Sequence, residues 1–274
     1  MDKGIIILAL NKQSYACAAF NLALSIRYYN PDLNITLLTD NTHLQCFRPE
    51  HFAPFNFIKE IPKEEYTDNG MFSPGKAKLS LYKHTPYKCT LYIDADSICF
   101  KNLDSLFKQL KGCNFKSNVV EDYTQWTDAV KFKDFFGFEQ GLSINSSWIY
   151  FESDSVFRQA ETFFNKGFNK DDLKQKWGNN LPDELFFNAS IQKLKANPRV
   201  HFNVMFFDDK KVQKDISEIE NEFYFITYYG NANSTRLSYI EWYDKNMFRL
   251  CTHYGIEHRF KISAIMVHKH VNTK

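Results

Sequence analysis

Apolar positions along this chain come in two rhythms, and their alternation predicts the architecture. Residues 4–10 read Gly-Ile-Ile-Ile-Leu-Ala-Leu, apolar on both faces of any extended backbone, which predicts a central strand buried on both sides. A polar turn follows, with Ser14 placed to cap a helix. Residues 15–29 are rich in Ala, Leu and Phe and predict a helix buried on most sides, stopped by Asn30-Pro31-Asp32. Residues 34–39 predict a second strand ending at Asp40-Asn41. Strand, helix, strand in that order is the signature of a βαβ unit and a parallel sheet.

The pattern continues less regularly. Residues 55–61 predict a third strand, 66–75 a polar surface loop, 76–83 a short helix, and Leu91, Tyr92 and Ile93 a buried strand. Leu103, Leu106, Phe107 and Leu110 fall at helical spacing. Residues 122–140 mix charge and aromatics without a period and read as loop, a candidate lid. Residues 142–151 predict a strand interrupted by Asn145-Ser146-Ser147; ligand contacts, a bulge or a satisfied core network would each explain the interruption. Val156, Phe157, Ala160, Phe163 and Phe164 mark one face of a helix over 154–164. Pro182-Asp183-Glu184 opens another helix, with acids at the positive end of its dipole. Strands over 199–207, 222–229 and 262–267 and a helix over 237–253 complete the chain, which ends after His268-Lys269-His270. No repeat or linker interrupts it, so one α/β domain over 1–274 is expected, in two halves, 1–115 and 116–274.

Composition narrows the function classes. Lys+Arg is 34 against Asp+Glu 32, a formal charge of +2, so no global field argues for nucleic acid or an anionic membrane. The basic runs 108–116 and 210–214 read as solvated faces. Aromatics make up 17% of residues, 27 of them Phe, enough for a large core. Six cysteines occur without zinc-ligand spacing or a compact disulfide frame, which suits a reducing compartment. The N-terminal apolar run is too short for a signal peptide and no stretch has the length of a membrane span, so a cytoplasmic location is expected.

The candidate chemistry follows the Leu91–Ile93 strand. Asp94 and Asp96 have one residue between them, and in extended backbone residues two apart share a face. Two carboxylates that close repel, so a cation or a shared proton is expected. Magnesium or manganese, which prefer oxygen ligands, are the natural cations. The carboxyl end of a strand is also where open α/β sheets bind ligands.

The order of motifs resembles the GT-A fold nucleotide-sugar glycosyltransferases, in particular the retaining group that includes glycogenin and related bacterial galactosyl- and glucosyltransferases. The block that carries the resemblance is Lys78-Leu79-Ser80-Leu81-Tyr82, then the strand ending in Asp94-Ala95-Asp96, then Asn102-Leu103-Asp104-Ser105-Leu106-Phe107. Ile144-Asn145-Ser146-Ser147 resembles the family's Phe-Asn-Ser-Gly strand, and Asp183-Glu184-Leu185-Phe186-Phe187-Asn188 its Asp-Gln-x-x-Leu-Asn helix start. The resemblance implies a Rossmann-like fold, a central mostly parallel sheet flanked by helices. It implies transfer of a hexose, with retention, from a nucleotide sugar such as a UDP-sugar. The acceptor class, whether glycan, protein, lipid or modified base, is left open.

Residue by residue, the resemblance implies that Asp94 and Asp96 hold the metal. Ala9, Leu10, Asn11 and Tyr15 line the base and ribose pocket, and Lys78 contacts the diphosphate or sugar. Asn145, Ser146, Asp183 and Glu184 surround the transferred sugar. The chain departs from the family at Ser147, where glycine is usual, and at Glu184, where an amide is usual. It also has Thr227 where the family's late metal-binding histidine falls. His268 would then be the third metal ligand and Lys269 the phosphate-binding lysine, unless the terminal His-Lys-His is a solvated tail.

Two alternatives stand beside this reading. Haloacid-dehalogenase-type phosphatases also place Asp-x-Asp after an apolar strand, and Val204-Met205-Phe206-Phe207-Asp208-Asp209 resembles their late acidic strand end. Against them, Asp94 lies far from the N-terminus and Ile98 stands where threonine is expected. The other alternative is a sugar-nucleotide-binding protein without turnover, a reading that Glu184 and Thr227 support.

Overall fold

A computed structural model describes residues 1–120, 126–174, 180–207, 215–227 and 237–257. In chain order the elements are β1 (Lys3–Ala9), α1 (Gln13–Tyr29), β2 (Asn34–Thr39), β3 (Phe57–Glu60), β4 (Thr67–Asp68), β5 (Met71–Phe72), α2 (Pro74–Leu79), α3 (Leu81–His84), β6 (Cys89–Asp94) and β7 (Ser97–Cys99). They continue with α4 (Asp104–Leu110), β8 (Phe115–Val120), α5 (Ala129–Phe136), β9 (Ser143–Phe151), α6 (Ser155–Phe164), α7 (Asp183–Leu194), β10 (Met205–Phe207), α8 (Ile216–Glu222), β11 (Phe225–Thr227) and α9 (Leu237–His253). The main sheet has six strands in the order β3-β2-β1-β6-β9-β8. The chain divides into two compact units.

One unit comprises Lys3–Glu60, Ile93–Gln109 and Phe202–Lys274. Here β1 runs parallel to β2, with Gly4 opposite Asn34 and Ala9 opposite Thr39, and β2 runs parallel to β3. Ile5, Ile6 and Ile7 are fully buried, as are Ile35 and Leu38, which is why these strands read as unbroken apolar runs. Each such side chain contributes about 1.5–3 kcal/mol by leaving water. Every α1 residue over 16–26 is buried. The helix starts one residue earlier than Ser14, with Lys12 at the cap position and no side-chain cap, so Ser14 lies inside the first turn.

Asn30 secures the far end of α1. Its Oδ1 accepts from the Leu103 N–H at 2.7 Å and its Nδ2 donates to the Lys101 carbonyl at 3.2 Å. A second sheet, β10-β11-β7, packs Ile98, Phe206 and Ile226 against Phe20 and Leu24 of α1 and Tyr243, Met247 and Leu250 of α9. The strand expected over 199–207 shortens to Met205–Phe207. The one expected over 222–229 is Phe225–Thr227 within the described residues, because Glu222 ends α8.

The other unit comprises Met1–Asp2, Ile61–Tyr92 and Leu110–His201. The expected polar loop over 66–75 contains the small β4–β5 hairpin, turned at Asn69 (φ 50°) and Gly70 (φ 77°). Both central residues of such a turn need positive φ, which Asn-Gly tolerates. The single helix expected over 76–83 breaks into α2 and α3 at Ser80, whose hydroxyl donates to the Ala77 carbonyl at 3.0 Å. Part of the candidate lid is a fixed helix, α5. Asp128 caps it by accepting from the Lys131 N–H at 2.8 Å, and Phe132 and Phe136 are buried. Residues 121–125 of that stretch lie outside the described residues.

The polar interruption in β9 is a bulge. Asn145 pairs with Asn118 and Ile149 with Ser117, so three residues of β9 face no partner on β8. Ser117 Oγ lies 2.9 Å from the carbonyl oxygens of both Asn145 and Trp148 and spans the gap. The five apolar positions read as one face of α6 are all buried, and α7 packs on β9 and α6.

Candidate functional site

In the unit that holds β1, three loops at the carboxyl ends of parallel strands are laced together. Ala9 and Leu10 are buried, Tyr15 is half-buried, and Asn11 is exposed with φ 67°. Asp40 fixes that conformation: one carboxylate oxygen accepts from the Asn11 N–H at 2.8 Å and the other from the Thr42 N–H at 3.2 Å. His43 Nε2 lies 3.0 Å from the Asn11 carbonyl oxygen. Asn41 donates to Glu60 at 2.7 Å, which joins the end of β3. Asp40 and His43 were not singled out from sequence; the only signal was a polar stop, Asp40-Asn41, directly after a buried strand.

Asp94 ends β6 and Asp96 sits in the turn before β7, both half-buried. Alternation along a strand therefore does not bring the two together, because the extended backbone stops at Asp94 and Ala95 and Asp96 form a turn. Asp96 Oδ1 accepts from the Thr227 hydroxyl at 3.3 Å. Among the described residues no three His, Cys, Asp or Glu side chains are grouped for a metal. The donor set still fits magnesium or manganese, since such ions take one or two carboxylates and keep water or phosphate for the rest. His268 and Lys269 lie outside the described residues.

In the other unit, residues far apart in sequence converge. Lys78 Nζ donates to Ser146 Oγ at 3.2 Å and lies 4.0 Å from Asp183 Oδ2, with only 15% and 7% of the Lys78 and Asp183 side chains exposed. The same ammonium sits 5.5 Å from the centre of the Tyr92 ring, within cation–π range. Glu184 Oε1 accepts from the Ser146 N–H at 3.0 Å, with the Ser146 hydroxyl at 3.4 Å. Asp183 and Glu184 occupy the first turn of α7, where the helix dipole favours anions. Asn145 is half-buried, and its side-chain oxygen accepts from the Ser147 N–H at 3.0 Å.

Two further residues support this cluster: Asn188, the last residue of the Asp183–Asn188 motif, and Gly75, which no motif marked. Asn188 Oδ1 accepts from the Ile144 N–H at 2.8 Å and its Nδ2 donates to Ser143 Oγ at 2.9 Å, so α7 holds the start of β9. Gly75 lets α2 approach the backbone at Leu181 and Asp183 closely, and so sets the height of Lys78 one helical turn later.

No protein-family model matches the chain, and no curated protein is similar to it in sequence. Solved structures are similar in fold. The galactosyltransferase LgtC, in complex with donor and acceptor sugar analogs, is 16% identical with a TM-score of 0.56, covering 92% of this chain and 96% of that one. An active-site Gln-to-Glu mutant of LgtC is 15% identical with a TM-score of 0.57, covering 89% and 94%. The glycosyltransferase GlyE of Streptococcus pneumoniae TIGR4 is 13% identical with a TM-score of 0.53, covering 93% and 64%. The chain has the α/β fold of these GT-A glycosyltransferases. That likeness gives the phosphatase alternative no support, and its Asp208-Asp209 pair lies outside the described residues.

Proposed function

We propose that this chain is a metal-dependent glycosyltransferase that moves a hexose from a nucleotide sugar, with UDP-sugars as the first candidates, to an acceptor hydroxyl with retention. The observation that carries the reading is the convergence of Lys78, Ser146, Asp183 and Glu184 in a chain with this fold; Lys78 and Ser146 are 68 residues apart in sequence. Each of these positions is one that the sequence resemblance assigns to the donor.

The reaction breaks the bond between the anomeric carbon and the phosphate oxygen and forms one to the acceptor oxygen. The acceptor proton passes to the departing phosphate. Asp94 and Asp96 would hold magnesium or manganese, which when bound stabilises negative charge on the diphosphate as a Lewis acid. Lys78 adds a fixed positive charge to that stabilisation. Asp183 orients the sugar hydroxyls and steadies positive charge on the ring. The Ser146 N–H anchors Glu184, and Asn145 presents an amide beside the sugar. Ala9, Leu10, Asn11 and Tyr15 form the base and ribose pocket, with Tyr15 stacking. His268 and Lys269 are assigned to the metal and the phosphate.

The test is a thermal-shift panel of nucleotide sugars with and without manganese, followed by hydrolysis and transfer assays. A manganese-dependent shift with one UDP-sugar and release of UDP are expected. No shift with any nucleotide sugar overturns the reading. Glu184 favours a second reading, a sugar-nucleotide-binding protein without turnover, because it puts a carboxylate where the resemblance expects an amide. LgtC likewise carries an active-site glutamine, the residue changed to glutamate in its mutant. Binding without hydrolysis or transfer to any acceptor would select that second reading.

A further inference from the structure

Thr227 ends β11 opposite Ser97 of β7, in an antiparallel pairing that directs it at the turn carrying Asp96. Its hydroxyl donates to Asp96 Oδ1 at 3.3 Å, and the residue is 2% exposed. A β-branched side chain on a paired strand has few rotamers, so the hydroxyl is held in place before any ligand arrives. Buried polar groups continue behind it. Tyr243 of α9, 2% exposed, accepts from Asn21 Nδ2 at 3.1 Å, and Asn21 is fully buried.

A carboxylate that accepts a buried hydroxyl through one oxygen is turned so that the other oxygen keeps a fixed direction. Outer partners of this kind orient metal ligands, and losing one costs about 10–100-fold in metal affinity. We propose that Thr227 is a positioning residue: its hydroxyl aims the Asp96 carboxylate at a divalent cation, acting through Asp96 rather than as a ligand. The sequence resemblance sets Thr227 where a ligating histidine is expected, so this chain uses the position to hold a ligand instead of supplying one. The inference rests on Asp94 and Asp96 being the metal carboxylates.

The experiment titrates manganese into the full chain with saturating UDP and follows free Mn(II) by electron paramagnetic resonance. Thr227→Val, which keeps the shape and removes the hydroxyl, is expected to weaken manganese about 10–100-fold. Thr227→Ser, which restores the hydroxyl, should recover most of that loss, and turnover of Thr227→Val should return at high manganese. Circular dichroism checks folding, and Thr227→Ala replaces the valine variant if that one does not fold. The inference is overturned if a folded hydroxyl-less variant binds manganese like the unaltered chain, or if Thr227→Ser loses as much as Thr227→Val. Asp96→Asn separates the two levels: if it too leaves manganese affinity unchanged, the metal reading itself has failed.

Discussion

Gly75 comes so near Leu181 that a β-carbon on it would lie 2.4 Å from the Leu181 carbonyl oxygen and 3.1 Å from the Asp183 nitrogen. Both neighbours are backbone, so neither can swing away. In an exposed helix, Gly→Ala stabilises by about 1 kcal/mol. Here the sign should reverse: Gly75→Ala is expected to cost about 1–3 kcal/mol as α2 is pushed off α7. The same shift displaces Lys78 from Asp183, so KM for the nucleotide sugar should rise. Urea unfolding and donor kinetics check both; a stabilised variant with normal KM would remove Gly75 from the account.

Glu184→Gln keeps an oxygen that can accept from the Ser146 N–H, so the fold should be unaffected. It also removes a negative charge from the group assigned to the donor, whose leaving diphosphate gains negative charge. An increase in kcat of about tenfold is expected, equivalent to about 1.4 kcal/mol. Steady-state transfer assays measure it. A fall in kcat would mean that the carboxylate itself takes part in turnover.

Asp96→Asn should abolish manganese-dependent turnover, with a loss of about a thousandfold or more, while circular dichroism stays unchanged. Stripping the unaltered chain with a chelator should produce the same loss, reversed by added manganese. Turnover of a UDP-sugar by the variant at the normal rate would refute the assignment of Asp96.

Cys99 supplies a pH test that does not depend on the reaction. Its thiol is 1% exposed and donates to the Lys101 carbonyl at 3.3 Å. Burial, the main cause, pushes the thiol from 9.0 up to about 12. As pH rises past 9 the unfolded chain loses this proton and the folded chain keeps it, so the unfolded state binds fewer protons and stability falls. The slope from this group is about 1.4 kcal/mol per pH unit, running between the unfolded and folded values. Urea midpoints from pH 8.5 to 10.5 should therefore fall more steeply in the unaltered chain than in Cys99→Ala.

Much of the scaffold was legible because its signals are local. The Ile5–Ile7 run and the α6 face each follow from which side chains reach the core, and α9 spans the residues its pattern predicts. Lys78, Ser146, Asp183 and Glu184 were found from motif order, and the structure adds that they meet in one unit. What stayed hidden depends on distant partners. Strand β7 is three residues long and exists because β11 pairs with it. Helix α5 was missed because its period rests on Phe132 and Phe136 alone among charges. The Asp40 and His43 latch on Asn11 joins residues 29 and 32 positions apart, beyond any local pattern.

The three residues of β9 that face no partner on β8 make the chain sensitive to length there and permissive to identity. Pairing advances by one residue on β8 while β9 advances from Asn145 to Ile149. Trp148, Ile149, Tyr150 and Phe151, all buried, inherit their orientation from that count. Removing Ser147 would send each of these side chains to the opposite face of the sheet, into space shaped for a different residue. The shortened chain should accumulate as insoluble protein, whereas Ser147→Gly should be recovered in solution at ordinary yield. Exchanging letters within the bulge can thus retune what this chain grips there, provided the number of letters stays fixed.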